Sequence, residues 1–426
     1  MGMTMAEKVL ARRSGRAVVR PGDIVVTDVD LIVLADTVFS DTPDTLPTDL
    51  LRVAHPDRIV VLMDHGVPAP NERYARAQRR AREHARRLGF REVADVGGGG
   101  IEHQLIFERC LALPGQLVAS NDSHTSAAGV LNCAARGLGL ADILQLAATG
   151  RTWYRASPTV RFVLEGELPF GVYGKDVFLH LSQLYGSQEG HDIEFGGPGL
   201  ETMPLDDRAT LATMCTELNA NFVMMPVDAL LREHIAAVTD AAYEPVEPDP
   251  DAEYAAVHVV DLAEVKPRIA LPHRINGNVR SAAAVAADGI RIDQAFIGSC
   301  ANGKLSDLRI AARLLEGRSV ADGVRLIVTP GSQAVYLEAL RAGYIETLTE
   351  AGAVVTNSTC GACAGGHLGV LAPGEVCITS STRNFRGRMG SADAEIYLAS
   401  TATVAASAIE GVIADPMPHL VERPVA

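Results

Sequence analysis

The feature that most constrains this chain is the alternation of short, continuously apolar runs with longer segments of helical period. The runs begin at Asp23, Leu31, Arg58, Gln116, Gln294, Val324 and Ala353, are rich in Val, Ile and Leu, and mostly lack polar alternation. Strands of that kind are buried on both faces, so they predict a mainly parallel sheet covered by helices. Between them, residues 71–88 are rich in Arg, Ala and Glu, and residues 307–315 place Leu308, Ala311, Ala312, Leu314 and Leu315 at helical spacing. Strands alternating with helices predict α/β layers. At 426 residues the chain exceeds one compact core, and two or three domains are expected. One boundary falls at the composition shift near Arg155–Pro158. The second falls after the acidic, proline-rich Glu244–Asp251, around Pro272–Gly277. That acidic stretch reads as a solvated loop.

The formal charge of −14 argues against nucleic-acid binding as the main activity. No apolar run reaches membrane-spanning length, and the first residues lack the hydrophobic core of a signal peptide, so no membrane contact and a cytoplasmic location are the expectation. Seven cysteines are too few, and odd in number, for a secreted disulfide scaffold. Cys110, Cys133, Cys215 and Cys377 each stand singly in an apolar context and read as core residues.

Cys300, Cys360 and Cys363 differ. Two thiolates in Cys-x-x-Cys spacing reach one metal centre when small residues lie between them, as Gly361 and Ala362 do. Zinc would require a fourth ligand, and a redox dithiol a thioredoxin-like βαβ setting. Around Cys300 a strand ends at Ile297, a Gly-Ser-Cys turn follows, and a helix is expected to begin near Ser306 and Asp307, whose N-terminal amides favour anionic groups. Residues 357–366 carry almost no bulky side chain, so backbone amides there can approach cluster sulfurs. Three cysteines holding a four-iron cluster would leave one iron open as a Lewis acid.

The chain also resembles the aconitase superfamily, and within it the large subunits of the isopropylmalate isomerase and homoaconitase type. The resemblance runs over essentially the whole chain, through the segments 63–71, 99–104, 121–125, 296–302, 360–363 and 382–388. It implies three α/β/α lobes, residues 1–158, 159–275 and 276–426, without the swivelling fourth domain. It also implies a [4Fe-4S] cluster on Cys300, Cys360 and Cys363. The implied activity is dehydration and rehydration of a malate-type hydroxy acid, 2-isopropylmalate to 3-isopropylmalate through the alkene, as in leucine biosynthesis. Homoaconitase, or another malate-derivative dehydratase, is the alternative within the class.

Such a reaction needs an acid for the departing hydroxyl and a base for the carbon-bound proton. The family pattern pairs Asp64 with His65, Asp122 with His103 and Glu217 with His124, and His65 is the expected acid. His273 and His367 remain unassigned. Di- or tricarboxylate substrates call for planar guanidinium groups, and Arg383 and Arg388 match the family's carboxylate-binding arginines. Ser123 and Asn302 are expected to add hydrogen bonds to substrate or cluster. Two departures bear on the substrate: Ala35 replaces a polar residue before Asp36, and Thr213 stands where aconitases have Asn. The family's proton-abstracting serine and a further substrate arginine lie in the domain this sequence lacks. A separate small subunit carrying it, in a heterodimer or higher heteromer, is therefore expected. The competing readings are a non-catalytic iron sensor, disfavoured by the charge, and a zinc protein, disfavoured by the missing fourth ligand.

Overall fold

Six of the seven apolar runs become strands of two of the three larger sheets in the computed structural model, which describes residues 2–40 and 50–422; Met1, residues 41–49 and residues 423–426 lie outside the described residues. The first sheet is parallel throughout, in the order Glu92–Ala94, Ile59–Leu62, Leu31–Ala35, Leu117–Ser120, Ala134–Gly137. A second parallel sheet runs Val223–Met224, Asp192–Gly196, Thr159–Glu165, Ala256–Asp261. The third has the order Val279–Ser281, Arg268–Ala270, Glu395–Ala399, Val376–Thr379, Gln294–Ile297, Arg325–Val328, Val354–Val355. Only the Arg268–Ala270 strand pairs antiparallel to its neighbours in that sheet; the rest is parallel.

The run at Asp23 departs from the expected arrangement. Ile24–Asp28 pairs antiparallel with Arg151–Arg155 in a separate two-stranded ribbon, with Val25 and Thr27 buried and Ile24 and Val26 exposed. Consecutive β-branched residues make a strand, but they do not reveal how many of its faces are covered.

Helices form where local signals agree. Asn71 caps Glu72–Leu88 by accepting the Tyr74 N–H at 3.2 Å, and Gly89 ends it in the left-handed conformation (φ 71°). Ala77, Ala81 and Ala85 lie on its buried face while its arginines remain largely at the surface. No helix among the described residues is long and apolar enough to cross a membrane.

The second sheet buries an acid that sets a stability test. Asp192 accepts the Phe222 N–H at 3.1 Å through one oxygen, the other has no hydrogen-bond partner, and burial pushes its carboxyl up to about 8. The folded chain therefore holds a proton there that the unfolded chain releases near pH 4, and this contribution to stability falls as pH rises from about 4 to 8. Asp192→Asn is expected to match the parent at pH 4 and to exceed it at pH 8 by at least about 1 kcal/mol. Thermal melting at both pH values checks this; an equal shift at both refutes it.

Candidate active site at the carboxyl ends of two sheets

Parallel strands deliver their following loops to one edge, where α/β folds place ligands. In the first sheet, Leu31–Ala35 leads to Asp36, Ile59–Leu62 to Asp64 and His65, and Leu117–Ser120 to Asp122, Ser123 and His124. In the third, Gln294–Ile297 leads to Cys300, and Val376–Thr379 to Thr382, Arg383 and Arg388. These loops enclose a single cavity lined by Asp64, His65, His103, Asp122, His124, Cys300, Cys360, Cys363, Thr382 and Arg388.

Each histidine meets a carboxylate. His65 Nδ1 lies 2.6 Å from Asp64 Oδ1, His103 Nε2 is 2.8 Å from Asp122 Oδ1, and His124 Nε2 is 2.9 Å from Glu217 Oε1. Arg383 donates from Nε to the same Glu217 oxygen at 2.7 Å. The array is linked: His65 Nε2 is 3.4 Å from Asp122 Oδ2, and Asp122 also accepts the His124 backbone N–H at 2.8 Å.

These contacts set the charges. Burial draws the His65 imidazole down, but Asp64, Cys360, Asp122 and Asp36 outweigh it and hold the ring well above its ordinary value. Burial pushes Asp122 up, and hydrogen bonds from His103, His124 and His65 overcome that, holding it well below the carboxylate range. Glu217 is likewise lowered, because His124 and Arg383 outweigh its burial. At His65 the result is an imidazole biased toward its protonated form beside Asp122 biased toward its ionised form, a pair able to hold a proton at the cavity.

The cysteine loops dock on the histidine loop. The Asp64 backbone carbonyl accepts the Cys360 N–H at 2.8 Å and the Thr359 hydroxyl at 2.6 Å. Asn357 donates to the Val67 carbonyl at 2.6 Å. Cys300 follows two residues at positive φ, Gly298 (155°) and Ser299 (73°). A Cβ at Gly298 would meet the Thr329 carbonyl at 2.9 Å, so glycine is what lets the turn close. Arg388 points at the Cys363 sulfur from 3.7 Å. Burial raises that thiol, Arg388 more than reverses the effect, and Cys363 falls to about 7. Burial instead pushes Cys300 and Cys360 up.

A description of the aconitase family (aconitate hydratase) matches residues 7–411. The chain belongs to the aconitase family. Its relatives include the 3-isopropylmalate dehydratase large subunit of Mycolicibacterium smegmatis, 51% identical over 415 residues and covered to 97% on both chains. The 3-isopropylmalate dehydratase large subunit 1 of Methanopyrus kandleri is 43% identical over 423 residues, 99% of this chain and 100% of that one. The homoaconitase large subunit of Thermus thermophilus is 42% identical over 424 residues, 98% of each. Members of the family are hydro-lyases.

The donor set fits a metal centre. Cys300, Cys360 and Cys363 are free thiols on one cavity; the Cys300 sulfur lies within 4.8 Å of a ring nitrogen of His103 and of His124, and the Cys360 sulfur within 4.8 Å of an Asp64 carboxylate oxygen and a His65 ring nitrogen. Cys110, Cys133, Cys215 and Cys377 are buried elsewhere.

Three expected contacts stand outside the cavity lining: Arg383, whose Nε is taken up by Glu217, Ser123 and Asn302. Ser123, with Oγ 3.5 Å from His124 Nδ1, lines an adjoining groove with Ser126, Arg136 and Thr216. Asn302 is buried behind the Cys300 turn, where it donates to Asp307 at 2.9 Å while its own oxygen has no hydrogen-bond partner. His367 places a ring nitrogen 3.1 Å from the His65 carbonyl, and the His273 N–H donates to the Asn384 carbonyl at 3.1 Å; neither lines the cavity. At the two departures, the Ala35 N–H donates to Asn121 Oδ1 at 2.8 Å, and the Thr213 hydroxyl bonds back to the Ala209 carbonyl at 2.7 Å.

Sequence reasoning missed Asp36 and Glu102. Asp36 is buried with one oxygen 3.6 Å from His65 Nδ1, and Glu102 is buried with one oxygen 3.8 Å from His103 Nδ1. The first was signalled by an acid directly after an apolar strand, and the second by an acid directly before His103, as Asp64 stands before His65.

Proposed function

We propose that this chain is the large subunit of a [4Fe-4S]-dependent isomerase that interconverts 2-isopropylmalate and 3-isopropylmalate through the alkene. The observation that carries the reading is the convergence of three thiols, three carboxylate-paired histidines and Arg388 on one cavity. The likeness to 3-isopropylmalate dehydratase large subunits supports the substrate.

Cys300, Cys360 and Cys363 would hold the cluster. When bound, it supplies an iron without a cysteine ligand, a Lewis acid for the substrate's hydroxyl and carboxylate. Arg388, and Arg383 once released from Glu217, present planar donors to substrate carboxylates. His65 holds the proton for the departing hydroxyl at Nε2, and Asp64 orients the ring through Nδ1. Asp122 keeps His65, His103 and His124 in register, and Glu217 fixes His124. The base for the carbon-bound proton, a serine with a further arginine beside it, comes from a small subunit carrying the swivelling domain. That partner is in keeping with relatives named as large subunits.

A second reading, a homoaconitase large subunit, is favoured by the 42% identical relative. Anaerobic reconstitution with iron and sulfide, followed by assay with and without the small subunit, tests both. The expected result is visible iron–sulfur absorption in the large subunit alone, with turnover of isopropylmalate only after the partner is added. Turnover by the large subunit alone overturns the two-subunit arrangement. A higher kcat/KM for homoaconitate establishes the second reading.

A further inference from the structure

The chain has only four lysines, and two of them, Lys175 and Lys304, are buried directly behind the cysteine loops. Lys175 opens the helix Gly174–Tyr185 against the second sheet, and its Nζ donates to the carbonyls of Ser381 at 2.8 Å and Ser380 at 3.1 Å. Those carbonyls begin the loop that brings Thr382 to 3.7 Å from the Cys363 sulfur. Lys304 caps the helix Leu305–Leu315, and its Nζ donates to the Ala301 carbonyl, next to Cys300, and to the Thr210 hydroxyl. Two ammonium groups thus reach, from one side, the backbone that presents two of the three sulfurs.

Neither ammonium stands at salt-bridge distance from a carboxylate among the described residues; their side-chain contacts are carbonyls, the Thr210 hydroxyl and the Met214 sulfur. Of the buried acids in this region, Asp207 and Asp307 act on Lys304 and Asp307 on Lys175 as well, but Asp307 is engaged directly by Asn302, Thr401 and the Lys304 backbone N–H. A buried cation is costly to hold unless opposite charge lies near it. Asp307 supplies part of that charge on one side, and thiolates bound to a cluster would supply more on the side of the cysteine loops. Burial and the neighbouring Lys304 lower Lys175 to about 7 against the pull of Cys300, Asp307 and Cys363, and both lysines in turn favour the thiolate of Cys300 against the burial that raises it.

We infer that Lys175 and Lys304 are the buried counter-charge of the three-cysteine centre, positioning residues that favour its anionic, metal-loaded form over the empty one. The inference rests on the cluster reading above and adds what holds the cluster's charge in a water-poor interior. Thiolate-bound iron–sulfur clusters respond to nearby charge and burial, and outer partners of metal ligands govern affinity.

The test compares Lys175→Met, Lys304→Met and Lys304→Arg with the parent, and uses Lys266→Met, on the exposed surface, as control. Each protein is reconstituted anaerobically with iron and sulfide. Iron release to a chelator and the melting midpoints of loaded and unloaded protein are then measured. Both methionine variants are expected to release iron at least about tenfold faster, with a smaller rise in melting midpoint on loading. Lys304→Arg, which keeps the charge, and Lys266→Met are expected to stay near the parent. If Lys175→Met does not fold, the Lys304 pair decides. Iron release at the parental rate, or equal loss of stability in loaded and unloaded protein, overturns the inference and leaves the cluster reading standing. A parent that takes up no iron and sulfide overturns both.

Discussion

Serine at position 300 leaves a folded protein that holds no cluster: the visible iron–sulfur absorption disappears and hydro-lyase turnover drops to background even with the small subunit present. Cys300 occupies a four-residue helical turn, Ser299–Asn302, whose path is set by the positive φ of Gly298 and Ser299 and not by the sulfur. Exchanging sulfur for oxygen therefore changes the local fold little, and the melting midpoint of the unloaded protein is expected to move by the equivalent of less than about 1 kcal/mol. The hydroxyl, however, is a poor donor to iron that prefers soft thiolate, and the chain offers no fourth cysteine on this cavity to replace it. Cys377→Ser provides the contrast. Cys377 lies fully buried in the strand Val376–Thr379, so a hydroxyl there is expected to cost about 1–3 kcal/mol of stability while iron uptake persists. Iron–sulfur absorption surviving in Cys300→Ser removes Cys300 from the ligand set. Loss of absorption in Cys377→Ser at retained folding brings a core cysteine into it.

The parts of this site that the sequence made legible are those whose chemistry is local or carried by the family resemblance. Asp64 and His65 are adjacent, and Cys360 and Cys363 share one turn, so local spacing agreed with the joint action that the resemblance implied. The contact of His124 with Glu217 spans 93 positions and came only with the resemblance. Lys175 was illegible for a related reason: its acceptors lie 205 and 206 positions downstream, across the junction between the second and third sheets. Nothing in the surrounding sequence distinguishes a lysine destined for burial from one at the surface, because the burial is made by packing between sheets. Strand positions were mostly legible, since continuous apolar runs need two covered faces. The Ile24–Asp28 ribbon was misread because its four β-branched residues fit a one-sided strand equally well.

His65→Gln separates proton donation from binding. Its imidazole is ringed by Asp64, Asp36 and Asp122, at 2.6, 3.6 and 3.4 Å, so it carries a proton that its ordinary value would not hold at neutral pH. Glutamine keeps a polar group near the ring's place but has no proton to give the departing hydroxyl. The expected loss in kcat is about a hundred- to ten-thousand-fold, the range for a positioned general acid, with KM within a fewfold of the parent because the carboxylate-binding arginines are untouched. Asp122→Asn lowers kcat by a different route, since one carboxylate serves His65, His103 and the His124 backbone together. Once His65 is gone, that shared anchor has less left to organise, so the double variant is expected to lose far less than the product of the single losses. Strict multiplicativity would mean that Asp122 acts through His103 and His124 alone. A His65→Gln protein with a tenth or more of parental kcat would move the proton-donor role to one of those two histidines.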